Sequence, residues 1–137
     1  SWFLINLLLT PRKRDDKNPK RDPIFILDSY LKNGKSLIFF PEGSRGKAGK
    51  IQVFKKGLGH LMKENMNIPI IPVYLEGIGR VLPKGNKIML PGITKIYFGN
   101  PIFLENESVE EIVEKAENAV HDLKNRCDNN NSSNLRE

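Results

Sequence analysis

The chain has 137 residues, 39% of them apolar and 28% charged, with 11 Gly and one Cys. That length holds one compact core, and the composition excludes a disordered chain, a collagen repeat and a disulfide scaffold. Lys and Arg number 22 against 16 Asp and Glu, a net charge of +6, which favours anionic partners (phosphates, nucleic acid or an anionic membrane surface) without choosing among them.

The chain opens on Ser1 and the apolar run WFLINLLL. Residues 2–9 are expected to form a short helix, too short to span a bilayer and without the basic leader and cleavage site of a signal peptide. A truncated N-terminus is the expectation for such a start. Residues 11–22 form a charged, Pro-punctuated loop. Its basic residues Arg12, Lys13, Arg14, Lys17, Lys20 and Arg21 alternate with acids and lack interleaved aromatics, which weighs against nucleic-acid binding. Asp22 is placed to cap a helix with Pro23 in its first turn, running to Asn33 and stopping at Gly34. Residues 36–40, SLIFF, have the length and continuous apolar character of a strand buried on both faces.

A Gly-rich loop follows, then a helix over 55–66 with Leu58, Leu61 and Met62 on one face. Residues 70–75 are strand-like, with Pro72 confined to an edge or a strand start. A short strand at 87–90 and another at 95–98 are expected. Ser108 and Glu111 make a capping box for the last helix, expected over 108–124. Its apolar stripe is Val109, Ile112, Val113, Ala116, Val120 and Leu123, and Glu110, Glu114 and Glu117 take the solvated face. Residues 125–137 read as a polar flexible tail, leaving 1–124 as the domain. The order of helices and strands predicts an α/β fold, a layered sheet with flanking helices, in which 36–40 and 70–75 are neighbouring central strands.

The junction of the 36–40 run with Pro41, Glu42, Gly43, Ser44, Arg45 and Gly46 is the strongest local feature. Ligands in open α/β sheets bind beyond the carboxyl ends of strands. Gly43 and Gly46 permit close backbone approach, and Arg45 offers a fork that matches phosphate or carboxylate oxygens. A Glu42–Arg45 ion pair in a plain turn is the competing reading. The loop is no P-loop: position 44 is Ser44 rather than Gly, and Ile51 follows Lys50 where Ser or Thr is required. His60 and His121 read as structural, no Cys/His cluster has metal spacing, and no G-x-S-x-G elbow is present.

FPEGSRG at 40–46, FKKG at 54–57 and IPV at 71–73, in that order and spacing, resemble the glycerolipid acyltransferase family, which includes the lysophosphatidic acid acyltransferases. Its F-P-E-G-[TS]-R motif is matched at Phe40, Pro41, Glu42, Gly43, Ser44 and Arg45. Its F-K-x-G element is matched from Phe54 through Lys55 to Gly57, and its V/I-P-V motif at Ile71, Pro72 and Val73. Arg14 falls where the family carries an Arg after an apolar helix, although Pro11, Arg12 and Lys13 precede it here. The family's H-x-x-x-x-D motif is absent from this sequence, since Asn65 and Arg126 stand five residues after His60 and His121.

The resemblance implies a glycerolipid acyltransferase-like fold and transfer of a fatty acyl group from acyl-CoA or acyl carrier protein to a lysophosphatidic acid-type acceptor. This chain would carry the acceptor-phosphate site and lack the histidine base. It further implies no metal or organic cofactor, a lysophospholipid acceptor, an acyl thioester donor, and work at a membrane surface on its cytoplasmic side. A non-catalytic lipid- or anion-binding module is the alternative, with a basic nucleic-acid-binding domain behind it.

Overall fold

A computed structural model describes residues 22–43, 49–77, 81 and 91–133. The helix expected over 2–9 and the strand expected at 87–90 lie outside them. The chain divides into two compact units, residues 1–38 and 39–137.

In the first unit, α1 spans Pro23–Lys32. The Asp22 carboxylate accepts from the Ile24 N–H at 2.9 Å, and Pro23 takes the first turn, where its missing N–H costs nothing. The helix ends in a Schellman motif. The Gly34 N–H donates to the Leu31 carbonyl at 3.0 Å and the Lys35 N–H to the Tyr30 carbonyl at 3.1 Å. That closure needs a left-handed residue, and Gly34 supplies φ +71°.

Residues 36–40 are not a strand, which corrects the expectation. Ile38 is 88% exposed and Phe40 68%. An apolar run becomes a strand only where a neighbour pairs with its backbone, and among the described residues the sheet is β1 with β2 alone. The predicted pairing of 36–40 with 70–75 is therefore not what these residues form.

In the second unit, α2 spans Gly57–Lys63, shorter than expected, with Leu58, Leu61 and Met62 buried as the periodicity requires. The buried Asn65 amide donates to the Leu61 carbonyl at 2.9 Å and closes the last turn. β1 (Val73–Glu76) pairs antiparallel with β2 (Lys95–Phe98), Val73 opposite Phe98 and Glu76 opposite Lys95. Before β1, Ile70 and Ile102 exchange both backbone hydrogen bonds at 3.0 and 2.7 Å. Between that bridge and the Val73–Phe98 pair the second strand carries one extra residue, and the offset falls where Pro72 and Pro101 have no N–H to give.

The last helix, α3, spans Val109–Ser133. Its capping box forms as read: the Glu111 carboxylate accepts from the Ser108 N–H at 2.7 Å, and the Ser108 hydroxyl accepts from the Glu111 N–H at 3.2 Å. Ile112, Ala116, Leu123 and Cys127 are buried along one stripe. The helix runs on to Ser133, through most of the segment read as a tail, because Cys127 joins the core and the Asn131 amide donates to Glu76 at 2.6 Å. The α2–α3 crossing is close. A Cβ at Gly59 would lie 2.4 Å from the Val109 carbonyl oxygen and 3.0 Å from a Val113 methyl.

Candidate functional site

The candidate site is built by a turn and a returning segment that close on each other. The Gly43 N–H donates to the Phe40 carbonyl at 3.1 Å, making a tight turn over 40–43 with Gly43 at φ +69°. Ten residues later the chain returns. The Glu42 carboxylate accepts from the Gln52 N–H at 2.8 Å, and the Pro41 carbonyl accepts from the Lys55 N–H at 2.9 Å. These two bonds clasp residues 41–42 to residues 52–55 and hold together the ends of the loop between them. Lys55 then lays its side chain over the turn: a Cβ at Gly43 would meet the Lys55 Nζ at 2.8 Å and its Cε at 3.0 Å. Gly43 is thus required twice, for its backbone conformation and for the space that the Lys55 stem fills.

Phe54 anchors the segment from below, 7% exposed, and its N–H donates to the Glu117 carboxylate of α3 at 2.8 Å. Lys56 pairs with Glu110 at 2.9 Å on the surface and holds the Glu110 carboxyl below its usual range. Glu110 and Glu117, read as solvated, therefore face the FKKG segment. Hydrophobic periodicity locates a polar face but does not say which of its carboxylates meets a backbone N–H. The usable signal was a buried Phe in a loop, whose N–H must find a partner.

Of the residues singled out from the sequence, Pro41, Glu42, Gly43 and Lys55 come together. Phe40 is largely exposed at the turn's start, and Gly57 opens α2 two residues after Lys55. Pro72 is employed elsewhere: it is buried, its carbonyl accepts from the Gly99 N–H at 2.9 Å, and its ring leaves no room for a Cβ at Gly99. Arg14, Ser44 and Arg45 lie outside the described residues. Glu42 is engaged with Gln52, so its part in this geometry is to close the loop.

A family model described as Acyltransferase matches residues 1–76, which include both halves of the clasp. The chain belongs to the acyltransferase family. A chloroplastic 1-acyl-sn-glycerol-3-phosphate acyltransferase of Brassica napus is 31% identical over 103 residues, 74% of this chain and 30% of that protein. One from Arabidopsis thaliana is 31% identical over 102 residues, and one from Pseudomonas aeruginosa 30% identical over 87. The chain spans about 30% of the length of the curated relatives it matches. No solved structure matches it.

Two other polar regions of this acyltransferase chain have different characters. A depression of about 440 Å³ at the start of α3 is lined by Glu105, Glu107, Glu111, Glu114 and Lys115, with Asn106 and Asn118. Lys115 and the Glu105 and Asn106 N–H groups pull the Glu107 carboxyl down to about 2. Four carboxylates around one ammonium repel phosphate, so this depression does not suit an anionic acceptor. At the end of β1, Glu76 accepts from Asn131 and from the Tyr97 hydroxyl, at 3.2 Å for the latter, with Lys95 at 3.8 Å. The Asn131 amide chiefly holds the Glu76 carboxyl below its usual range, against some burial. Contact with Cys127 and burial push the Tyr97 hydroxyl up. This cluster ties the sheet to α3. Among the described residues no group of His, Cys, Asp and Glu could hold a metal, and no helix is long and apolar enough to cross a membrane.

Proposed function

We propose that this chain supplies the acceptor-phosphate site of an acyltransferase of phospholipid biosynthesis. The reaction transfers a fatty acyl group from acyl-CoA or acyl carrier protein to the free hydroxyl of a lysophosphatidic acid-type glycerophosphate, at a membrane surface on its cytoplasmic side. The observation that carries this reading is the Lys55 ammonium seated over Gly43, inside a clasp that ties Pro41 and Glu42 of the FPEG motif to Lys55 of the FKKG motif and to Gln52 just before it. The names of the relatives support it. An ammonium held over the turn offers a phosphate a charge-assisted hydrogen bond. Arg45 would add a bidentate contact to this phosphate, and Arg14 stands as a further candidate for phosphate binding from the resemblance.

Holding the phosphate fixes where the acceptor hydroxyl lies, an orientation effect. In the transfer, the hydroxyl oxygen bonds to the acyl carbon, the carbon–sulfur bond breaks, and the thiol leaves. A base must take the hydroxyl proton. The sequence holds no H-x-x-x-x-D, so that base would come from outside residues 1–137, and these residues by themselves would show no turnover. The test is Arg45→Lys, which keeps charge and loses the fork. Lysophosphatidic acid binding should weaken about ten- to a hundredfold, with the melting temperature little changed. A lowered melting temperature with unchanged binding would make Arg45 structural and sink the phosphate-site assignment.

A further inference from the structure

We propose that Glu117 of α3 is a positioning residue for the acceptor site, acting through the backbone of Phe54; this rests on the function proposed above. The two bonds of the 54–55 segment hold it between α3 and the turn. The Phe54 N–H donates to the Glu117 carboxylate at 2.8 Å, and the next N–H, of Lys55, donates to the Pro41 carbonyl at 2.9 Å. The two successive N–H groups thus go to different partners, and the segment is held by both α3 and the turn. Phe54 is buried, so its N–H has no ready exchange with water, and a carboxylate acceptor makes the bond charge-assisted. Lys55, the residue whose ammonium lies over Gly43, follows directly.

α3 backs the same stretch at two further points. Glu110, two turns before Glu117 on the same face, pairs with Lys56, and Val109 and Val113 close on Gly59. The exposed Lys56–Glu110 pair is screened and weak, which leaves the Glu117 bond as the main polar tie. Glu117 lies beyond residue 76, where the family model's match ends. The inference is that α3 sets the position of Lys55 relative to Gly43 and hence the fit of the acceptor phosphate.

The experiment follows binding of a short-chain lysophosphatidic acid to the full chain, with the melting temperature and the Phe54 amide exchange rate. Wild type is compared with Glu117→Gln, Glu117→Asp and Lys55→Ala. Glu117→Gln keeps an acceptor oxygen at the same reach and should bind within about twofold of wild type. Glu117→Asp keeps the charge but falls one methylene short. It should exchange faster at Phe54 and bind on the order of tenfold more weakly. A lower melting temperature with unchanged binding in Glu117→Asp would make Glu117 merely structural and overturn the proposal. Binding lost in Lys55→Ala but intact in Glu117→Asp would also overturn it, while leaving the acceptor site standing. No binding by wild type would overturn the proposed function itself, and the role of Glu117 with it.

Discussion

Replacing Gly59 with Ala tests how closely α2 and α3 pack. The added Cβ would lie 2.4 Å from the Val109 carbonyl oxygen, 2.8 Å from a Val109 methyl and 3.0 Å from a Val113 methyl. A carbon and a carbonyl oxygen rest no closer than about 3.3 Å, so the crossing must open by about 0.9 Å. The obstruction is backbone and cannot rotate away. Opening the crossing loosens Leu58, Leu61, Met62, Ile112 and Ala116 together. Overpacking of this kind costs up to about 3 kcal/mol. Ala recovers about 1 kcal/mol through its better helix propensity. The net loss is up to about 2 kcal/mol, and for a unit of this size the melting temperature should fall by up to about 8–16 °C. Thermal unfolding of wild type and Gly59→Ala, followed by far-UV circular dichroism, measures it. An unchanged or higher melting temperature would show that the helices are not in contact at Gly59.

Three further outcomes are expected. Glu76 has a depressed pKa in the folded chain, so its contribution to stability is present above the unfolded value of 4.5 and is lost as pH falls through the folded one. Between about pH 6 and about pH 3 the melting temperature of Glu76→Gln should therefore fall less than that of wild type; parallel curves would count against the Asn131–Glu76 bond. Gly43→Ala should cost about 1–2 kcal/mol in backbone strain and displace the Lys55 ammonium, weakening lysophosphatidic acid binding by more than the unfolding equilibrium explains. Purified residues 1–137 should esterify lysophosphatidic acid at least about a hundredfold more slowly than an intact relative, as expected without a general base; comparable rates would refute this.

Local chemistry was legible in the sequence wherever the cause was itself local. The Asp22 cap, the Gly34 stop and the Ser108–Glu111 box depend on neighbours a few residues apart, and all formed as read. Residues 36–40 were misread because an apolar run fixes only a preference for burial, whereas a strand also needs a partner edge. The last nine residues of α3 were misread for the opposite reason. Their polar, Asn-rich composition describes a poor helix in isolation, and the burial of Cys127 and the Asn131–Glu76 bond are tertiary. At the candidate site, motif order brought Pro41, Glu42, Gly43 and Lys55 into view. It did not reveal that Glu42 closes the loop, nor that Glu117, 63 residues from Phe54, holds the segment from behind.

Those separations set an order of events during synthesis. Phe54 emerges 63 residues before the carboxylate that receives its N–H, and Glu76 55 residues before the amide of Asn131. At translation rates of about 5–20 residues per second, the clasp and the end of β1 wait roughly 3–13 s for α3. During that interval Leu58, Leu61 and Met62, which pack beneath α3 in the finished unit, have no partner helix. In that interval the nascent chain carries unpaired apolar surface, the condition under which partly made chains misassociate.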